Sequence, residues 1–141
     1  MNIPIHNIDL IDLISEKHMS LRKLSEDMWN DESSISITNS EWFIISMAYG
    51  SQPTIAEVAH SIDISRQATH KCIKTLKSKG IIEIHNVENN NRDKCLRLTR
   101  LGEKYYMKNK MLKETIVKNI ADKIGRENMI FLKDLLKQDW I

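Results

Sequence analysis

Two spacings of hydrophobic residues alternate along this chain. From about Ile8 to Trp29, Leu10, Ile14, Leu21, Leu24 and Met28 recur at three- and four-residue steps, with His18 on the same stripe. That spacing predicts one long amphipathic helix. A polar connector, Asn30 to Ser34, follows it. Thr38, with Glu41 three residues later, has the form of a capping box and opens a second helix with Trp42, Ile45, Met47 and Ala48 as its apolar body. Beyond Pro53 the same form recurs as Thr54-Ile55-Ala56-Glu57, opening a short helix to about Ser61. Ile55, Val58, Ala59 and Ile62 give it one apolar face. Asp63-Ile64 then makes a tight connection, and Ser65 is placed to cap a further helix reaching about Lys79. Two short helices so joined describe a helix-turn-helix.

At Gly80 the period changes to two. Ile82 and Ile84 alternate with Glu83 and His85, and Leu96 and Leu98 alternate with Cys95 and Arg97. The stretch between, Glu88 to Asp93, is rich in turn formers, so the segment predicts a β-hairpin. A hairpin attached directly to a helix-turn-helix is a wing. Leu101, Tyr105, Leu112, Ile116, Ile120 and Ile124 then restore the helical period over about 100–124, ~37 Å of helix at ~1.5 Å per residue. A shorter helix carries Phe131, Leu132, Leu135 and Leu136. Gly50, Gly80 and Gly125 stand where helices stop, and Pro4 and Pro53 lie outside every periodic stretch. The fold class is therefore mainly α with a small β-hairpin wing. A winged helix-turn-helix at 38–100 is flanked by an N-terminal helix and connector (1–37) and by C-terminal helices (101–141), all within one compact chain. The flanking helices are amphipathic and are expected to form a dimer interface, because two rigidly linked modules fix half-site spacing where one offers only a small surface.

The helix that Ser65 opens carries the candidate chemistry. Thr69, Cys72, Ile73 and Leu76 share one face, and Gln67, His70, Lys71 and Lys74 the opposite one, with Arg66 beside them. No acidic side chain occurs between Ser65 and Lys79. A DNA major groove admits one α-helix and displays donors and acceptors on base edges. Long donors in the first half of a helix suit that groove: Arg66, Gln67, His70 and Lys71 for bases, with Ser65 at the cap, and Lys74 and Lys77 for phosphates. On the wing, Arg92, Lys94 and Arg97 are candidates for the adjacent minor groove, Arg92 first because it lies nearest the tip.

Composition narrows the reading without redirecting it. The chain has 141 residues, 41% of them hydrophobic and 28% charged, with a formal charge of +2. This suits one soluble domain with a real core. No apolar run approaches the ~18–20 residues of a membrane span. Met1 to Asn7 lacks the basic head and apolar stretch of a signal peptide. Two cysteines are too few for a secreted disulfide scaffold, and a cytoplasmic location is expected. The small total charge is a cancellation: residues 1–53 carry a net −5, residues 54–102 a net +4 and residues 103–141 a net +3. The window 64–100 reaches +6, which favours a polyanionic partner.

Catalysis and metal binding find no support. There is no glycine-rich phosphate loop, no readable nucleophile–base pair, no Cys-x-x-Cys and no His-Glu-x-x-His. No metal and no cofactor is expected, and the chain does not read as an enzyme. Acidic pairs such as Asp9/Asp12 and Asp31/Glu32 read as solvated surface.

The order Thr54-Ile55-Ala56-Glu57-Val58-Ala59, then Ile64-Ser65, then Leu76 with Gly80-Ile81-Ile82, then Leu98-Thr99 with Gly102 resembles the MarR family of bacterial transcriptional regulators. The likeness spans about residues 38–103 without a gap. It implies a homodimer on a pseudo-palindromic double-stranded DNA operator, repression by promoter occlusion, and release by a small aromatic or phenolic effector. Candidate effector-lining residues are His18, Trp42, Met47 and Tyr105. One departure stands out: the family's wing carries Asp-x-Arg where this chain has Asn90 and Arg92, with an acid at Asp93 instead. Peroxide-sensing relatives place a cysteine in the first helix, which has none here. Cys72 reads as a small core residue, and Cys95 as a solvent-facing thiol on a wing strand. The alternative reading is a winged helix used for protein contact or regulator sequestration, which would not need an acid-free helix face.

Overall fold

The structure is a computed structural model that describes residues 8–88 and 90–141. Pro4 and the N-terminal heptapeptide lie outside the described residues, as does Asn89. The element order is α1 (Leu10–Glu32), α2 (Asn39–Ala48), α3 (Ile55–Ser61), α4 (Arg66–Ser78), β1 (Ile82–Val87), β2 (Asn90–Leu98), α5 (Arg100–Ile124) and α6 (Arg126–Lys137). This is the architecture the periodicity predicts, mainly helical with one antiparallel hairpin. The largest boundary difference is at β2, which begins at Asn90 inside the expected turn, and α1 runs on into the expected connector. Among the described residues no helix is long and apolar enough to cross a membrane.

Side-chain caps start five of these helices. Asp9, Thr38, Thr54, Ser65 and Thr99 each accept the backbone N–H three residues ahead, relieving one of the unpaired donors of a helix start. The capping box at Thr38 is complete, since Glu41 Oε1 also accepts from Thr38 N at 2.9 Å. At Thr54 only the forward half forms. Its backbone is committed elsewhere, to a β-bridge with Cys95, and the neighbouring Pro53 carbonyl accepts from Leu96 N at 2.8 Å. Pro53-Thr54 thus acts as a short third strand along β2.

That strand overturns the expectation for Cys95. Alternation along β2 places it with Arg97 toward solvent, yet it is 6% exposed, next to the Thr54 bridge, with its thiol 3.8 Å from Gln52 Oε1. Cys72 lies partly buried against the core, as its helical face predicts.

Trp29 is the centre of the core. It is fully buried, meets Trp42 and Tyr105 edge-on at 4.9 and 5.2 Å between ring centroids, and donates its indole N–H to Ile35 O at 2.8 Å. Ile37, Ile44, Ile45, Val58, Leu76, Ile81 and Leu96 complete the interior under the wing. Most of the α1 stripe does not join it. Leu10, Ile14, Leu21 and Leu24 are 40–70% exposed, as are Ile130, Phe131 and Leu136 of α6.

The motifs behind the family resemblance are largely structural. Gly80 ends α4 at φ +74°, a left-handed conformation that costs a residue with a Cβ. Thr99 N donates to Ile81 O at 3.0 Å, and the Thr99 hydroxyl lies 2.6 Å from Gly80 O. Thr99 Oγ1 in turn accepts from Gly102 N at 3.0 Å. A Cβ on Gly102 would sit 2.2 Å from Ile81 O, so only glycine lets the start of α5 approach the α4–β1 turn this closely.

Candidate nucleic-acid interface

α4 separates its faces as the sequence implies. Thr69, Ile73 and Leu76 are buried, and Thr69 Oγ1 satisfies itself on Ser65 O at 3.0 Å. Arg66, Gln67, His70, Lys71, Lys74 and Lys77 are exposed. Ser65 is occupied as the cap, its hydroxyl accepting from Ala68 N at 3.0 Å. Arg66 and His70 share a shallow apolar groove with Ile55, Ala56 and Ala59 of α3. They therefore border the helix-turn-helix crevice, while the other cations project from the helix. The last basic residue of the stretch is different. Lys79 Nζ lies 3.4 Å from Glu41 Oε2 and 2.6 Å from Ser36 O, so it tethers α4 to α2.

The wing separates its cations too. Arg97 Nη2 lies 2.8 Å from His85 Nε2 and 3.8 Å from Glu83, and His85 Nε2 is itself 2.9 Å from Glu83 Oε2. Arg97 is thereby drawn onto the hairpin face. Lys94 bonds Asn86 Oδ1 across the strands. Arg92 is exposed, and its guanidinium has no hydrogen-bond or ion-pair partner among the described residues. The strand register explains its position. Asn86 pairs with Lys94 and Val87 with Asn90, so 91–93 bulge from β2. Asn90 organises this bulge: its Oδ1 accepts from Arg92 N at 2.9 Å and Asp93 N at 3.4 Å, and its Nδ2 donates to Asp93 Oδ2 at 2.8 Å.

A cleft of about 860 Å³ opens where α1, α2 and α5 meet the α3–α4 turn. Of the four residues expected to line an effector site, it collects His18 and Trp42. Tyr105 instead packs on Trp29, and Met47 packs against the core. Arg22, Phe43, Asp63 and Lys113 also border the cleft. Sequence reasoning missed all four, although Arg22 lies one helical turn beyond His18. Trp42 Nε1 is buried and has no hydrogen-bond partner among the described residues. Burial, with the Arg22 guanidinium beside it, holds the Lys113 ammonium below its ordinary pKa. Cys72 is pushed the other way: burial first, then the Glu41 carboxylate, raise its thiol. Among the described residues no cluster of three His, Cys, Asp or Glu side chains is placed to hold a metal ion.

The winged helix-turn-helix DNA-binding family matches residues 51–83, from the loop after α2 to the first strand of the wing. No curated protein matches the chain in sequence. Solved structures align over nearly the whole length. MarR from E. coli in its apo form has a TM-score of 0.78 at 18% identity, covering 92% of this chain and 96% of its own. A mutant MarR from E. coli complexed with operator DNA gives 0.74 at 18% identity, covering 91% of each chain. A transcriptional regulator from Thermotoga maritima gives 0.66 at 19%, covering 89% of this chain and 87% of its own. The chain has the fold of the MarR regulators, flanking helices included.

Proposed function

We propose that this chain is a DNA-binding transcriptional regulator of the MarR type, acting as a homodimer on a pseudo-palindromic operator. The observation that carries the reading is the outer face of α4: six exposed donors, from Arg66 to Lys77, on a capped and packed helix without one acid. α4 lies in the major groove, with Arg66, Gln67, His70 and Lys71 toward base edges and Lys74 and Lys77 on phosphates. Arg92 reaches the adjacent minor groove from the wing, with Lys94 beside it. Repression follows from occlusion of a promoter. Selection of bound duplexes from a random pool tests this. An inverted repeat is expected, its half-sites about one helical turn apart. Recovery of no common sequence would refute specific recognition and favour a protein-contact role.

The exposed apolar residues of α1 and α6 support the dimer, since a solvated monomer would leave Leu10, Ile11, Ile130 and Phe131 each more than 60% uncovered. Light scattering is expected to give twice the 16.5 kDa chain mass. A monomer at micromolar concentration would contradict it.

The cleft is the seat of a small aromatic or phenolic effector that releases DNA. Its support is Trp42 in the cleft lining, whose buried indole N–H has no hydrogen-bond partner among the described residues, together with the mixed apolar and charged side chains around it. Asp63 and Ile64 connect the cleft to the Ser65 cap of α4, so an occupant that favours one α4 position shifts DNA affinity by its differential binding. In a screen of small phenols for release of bound duplex, Trp42→Phe should abolish release and leave DNA affinity intact. A response unchanged by that substitution would place the effector elsewhere.

A further inference from the structure

Resting on the DNA-binding reading, we infer that Asn90 and Asp93 form a neutral-to-acid clamp that positions Arg92 for DNA. The amide at 90 is a working part of this wing. Three hydrogen bonds define the clamp, Asn90 Oδ1 to Arg92 N and Asp93 N, and Asn90 Nδ2 to Asp93 Oδ2. They have two consequences. The Arg92 backbone is held at the crest of the bulge, where its guanidinium meets no partner among the described residues. The Asp93 carboxylate, the one acid adjacent to Arg92 in sequence, is engaged by an amide and held from its neighbour's charge.

The pairing requires an amide facing an acid. An aspartate at 90 keeps both backbone acceptor contacts but lacks the donor toward Asp93. It would place two carboxylates at hydrogen-bond separation, and like charges so close repel. The Asp-x-Arg pattern of the MarR wing, installed here by a single substitution, is therefore harmful. Exchanging the two side chains restores the donor–acceptor pair with its polarity reversed. Asn90 is a positioning residue: it acts on DNA through Arg92.

The test uses the full-length chain and the duplex recovered by random-pool selection. Affinity is measured for wild type, N90A, N90D, the exchanged N90D/D93N, R92A and N90A/R92A. N90A and N90D should each bind roughly three- to tenfold more weakly, on the order of one charge-assisted contact. N90D/D93N should recover to within about twofold of wild type. N90A should cost nothing further once Arg92 is removed, a result that neither general loss of wing structure nor added charge would produce. Melting temperatures identify any variant that fails to fold. Wild-type affinity or better for N90D, or equal losses from N90A with and without Arg92, would overturn the clamp. Failure of the wild type to bind any selected duplex would instead overturn the DNA-binding reading beneath it.

Discussion

Glu41 and Lys79 form an ion pair at 3.4 Å between the start of α2 and the C-cap of α4. Glu41 is 4% exposed and also closes the Thr38 capping box, so one carboxylate fixes the start of α2 and the end of α4. Removal of the lysine leaves a buried carboxylate short of a partner. Lys79→Ala should lower stability by about 1–3 kcal/mol, the cost of orphaning a buried group. For a chain of this size that is roughly 2–4 °C in Tm per kcal/mol. The salt dependence of DNA binding should stay as in wild type. Lys77→Ala should do the reverse, leaving Tm unchanged and flattening the salt slope. Thermal melts and binding isotherms on both variants check the assignment.

The junction between Ile81 and Gly102 predicts a steep cost for the smallest substitution. Gly102→Ala drives a methyl to 2.2 Å from a backbone carbonyl, so the start of α5 must shift. Overpacking of this kind costs about 1–3 kcal/mol, more where backbone must move. Thr99→Val removes the cap and the hydroxyl contact to Gly80 O, for about 1–2 kcal/mol. Both variants should also weaken DNA binding, because this junction holds the wing against α5. A Gly102→Ala protein with wild-type Tm and affinity would contradict the packing described.

Trp29→Ala should be the most damaging single change in the core. It removes a fully buried ring, two edge-on aromatic contacts and the hydrogen bond to Ile35 O. Losses of about 3–5 kcal/mol are usual for such truncations. Urea titration should show the midpoint fall with the slope retained.

Both cysteines should be poor nucleophiles. Burial and the nearby Glu41 raise the Cys72 thiol above its ordinary pKa, so less thiolate exists at neutral pH than for a free cysteine. Cys95 is buried, with its thiol against Gln52. Alkylation at pH 7 to 8 should be slow in the native protein and fast in denaturant, and millimolar peroxide should leave DNA affinity intact. Rapid native labelling of either cysteine would contradict the burial.

Local features were legible in the sequence, and features made by distant segments were not. Thr38, Ser65 and Gly80 act within a few residues of themselves, so spacing alone identifies them. The outer face of α4 is legible for the same reason, because helical geometry sorts Arg66 to Lys77 without help from the rest of the chain. The burial of Cys95 is not legible because the Gln52 and Thr54 that meet it come from over 40 residues away. Lys79 reads as one more cation of a basic helix until Glu41 arrives from α2. Of the effector candidates, Met47 and Tyr105 share helical spacing with lining residues, yet tertiary packing turns them to the core. Arg22, Asp63 and Lys113 meet only across three elements.

The proposed function stands on duplex DNA binding by the exposed cations of α4 and the wing. Its most direct test is the affinity of the wild-type chain for its selected duplex across a salt series. The expected log–log slope is about −4 or steeper, at roughly −0.9 for each phosphate neutralised, with a loss of about 0.9 per half-site in Lys74→Ala. A flat salt response, or equal affinity for the selected and scrambled duplexes, would contradict it.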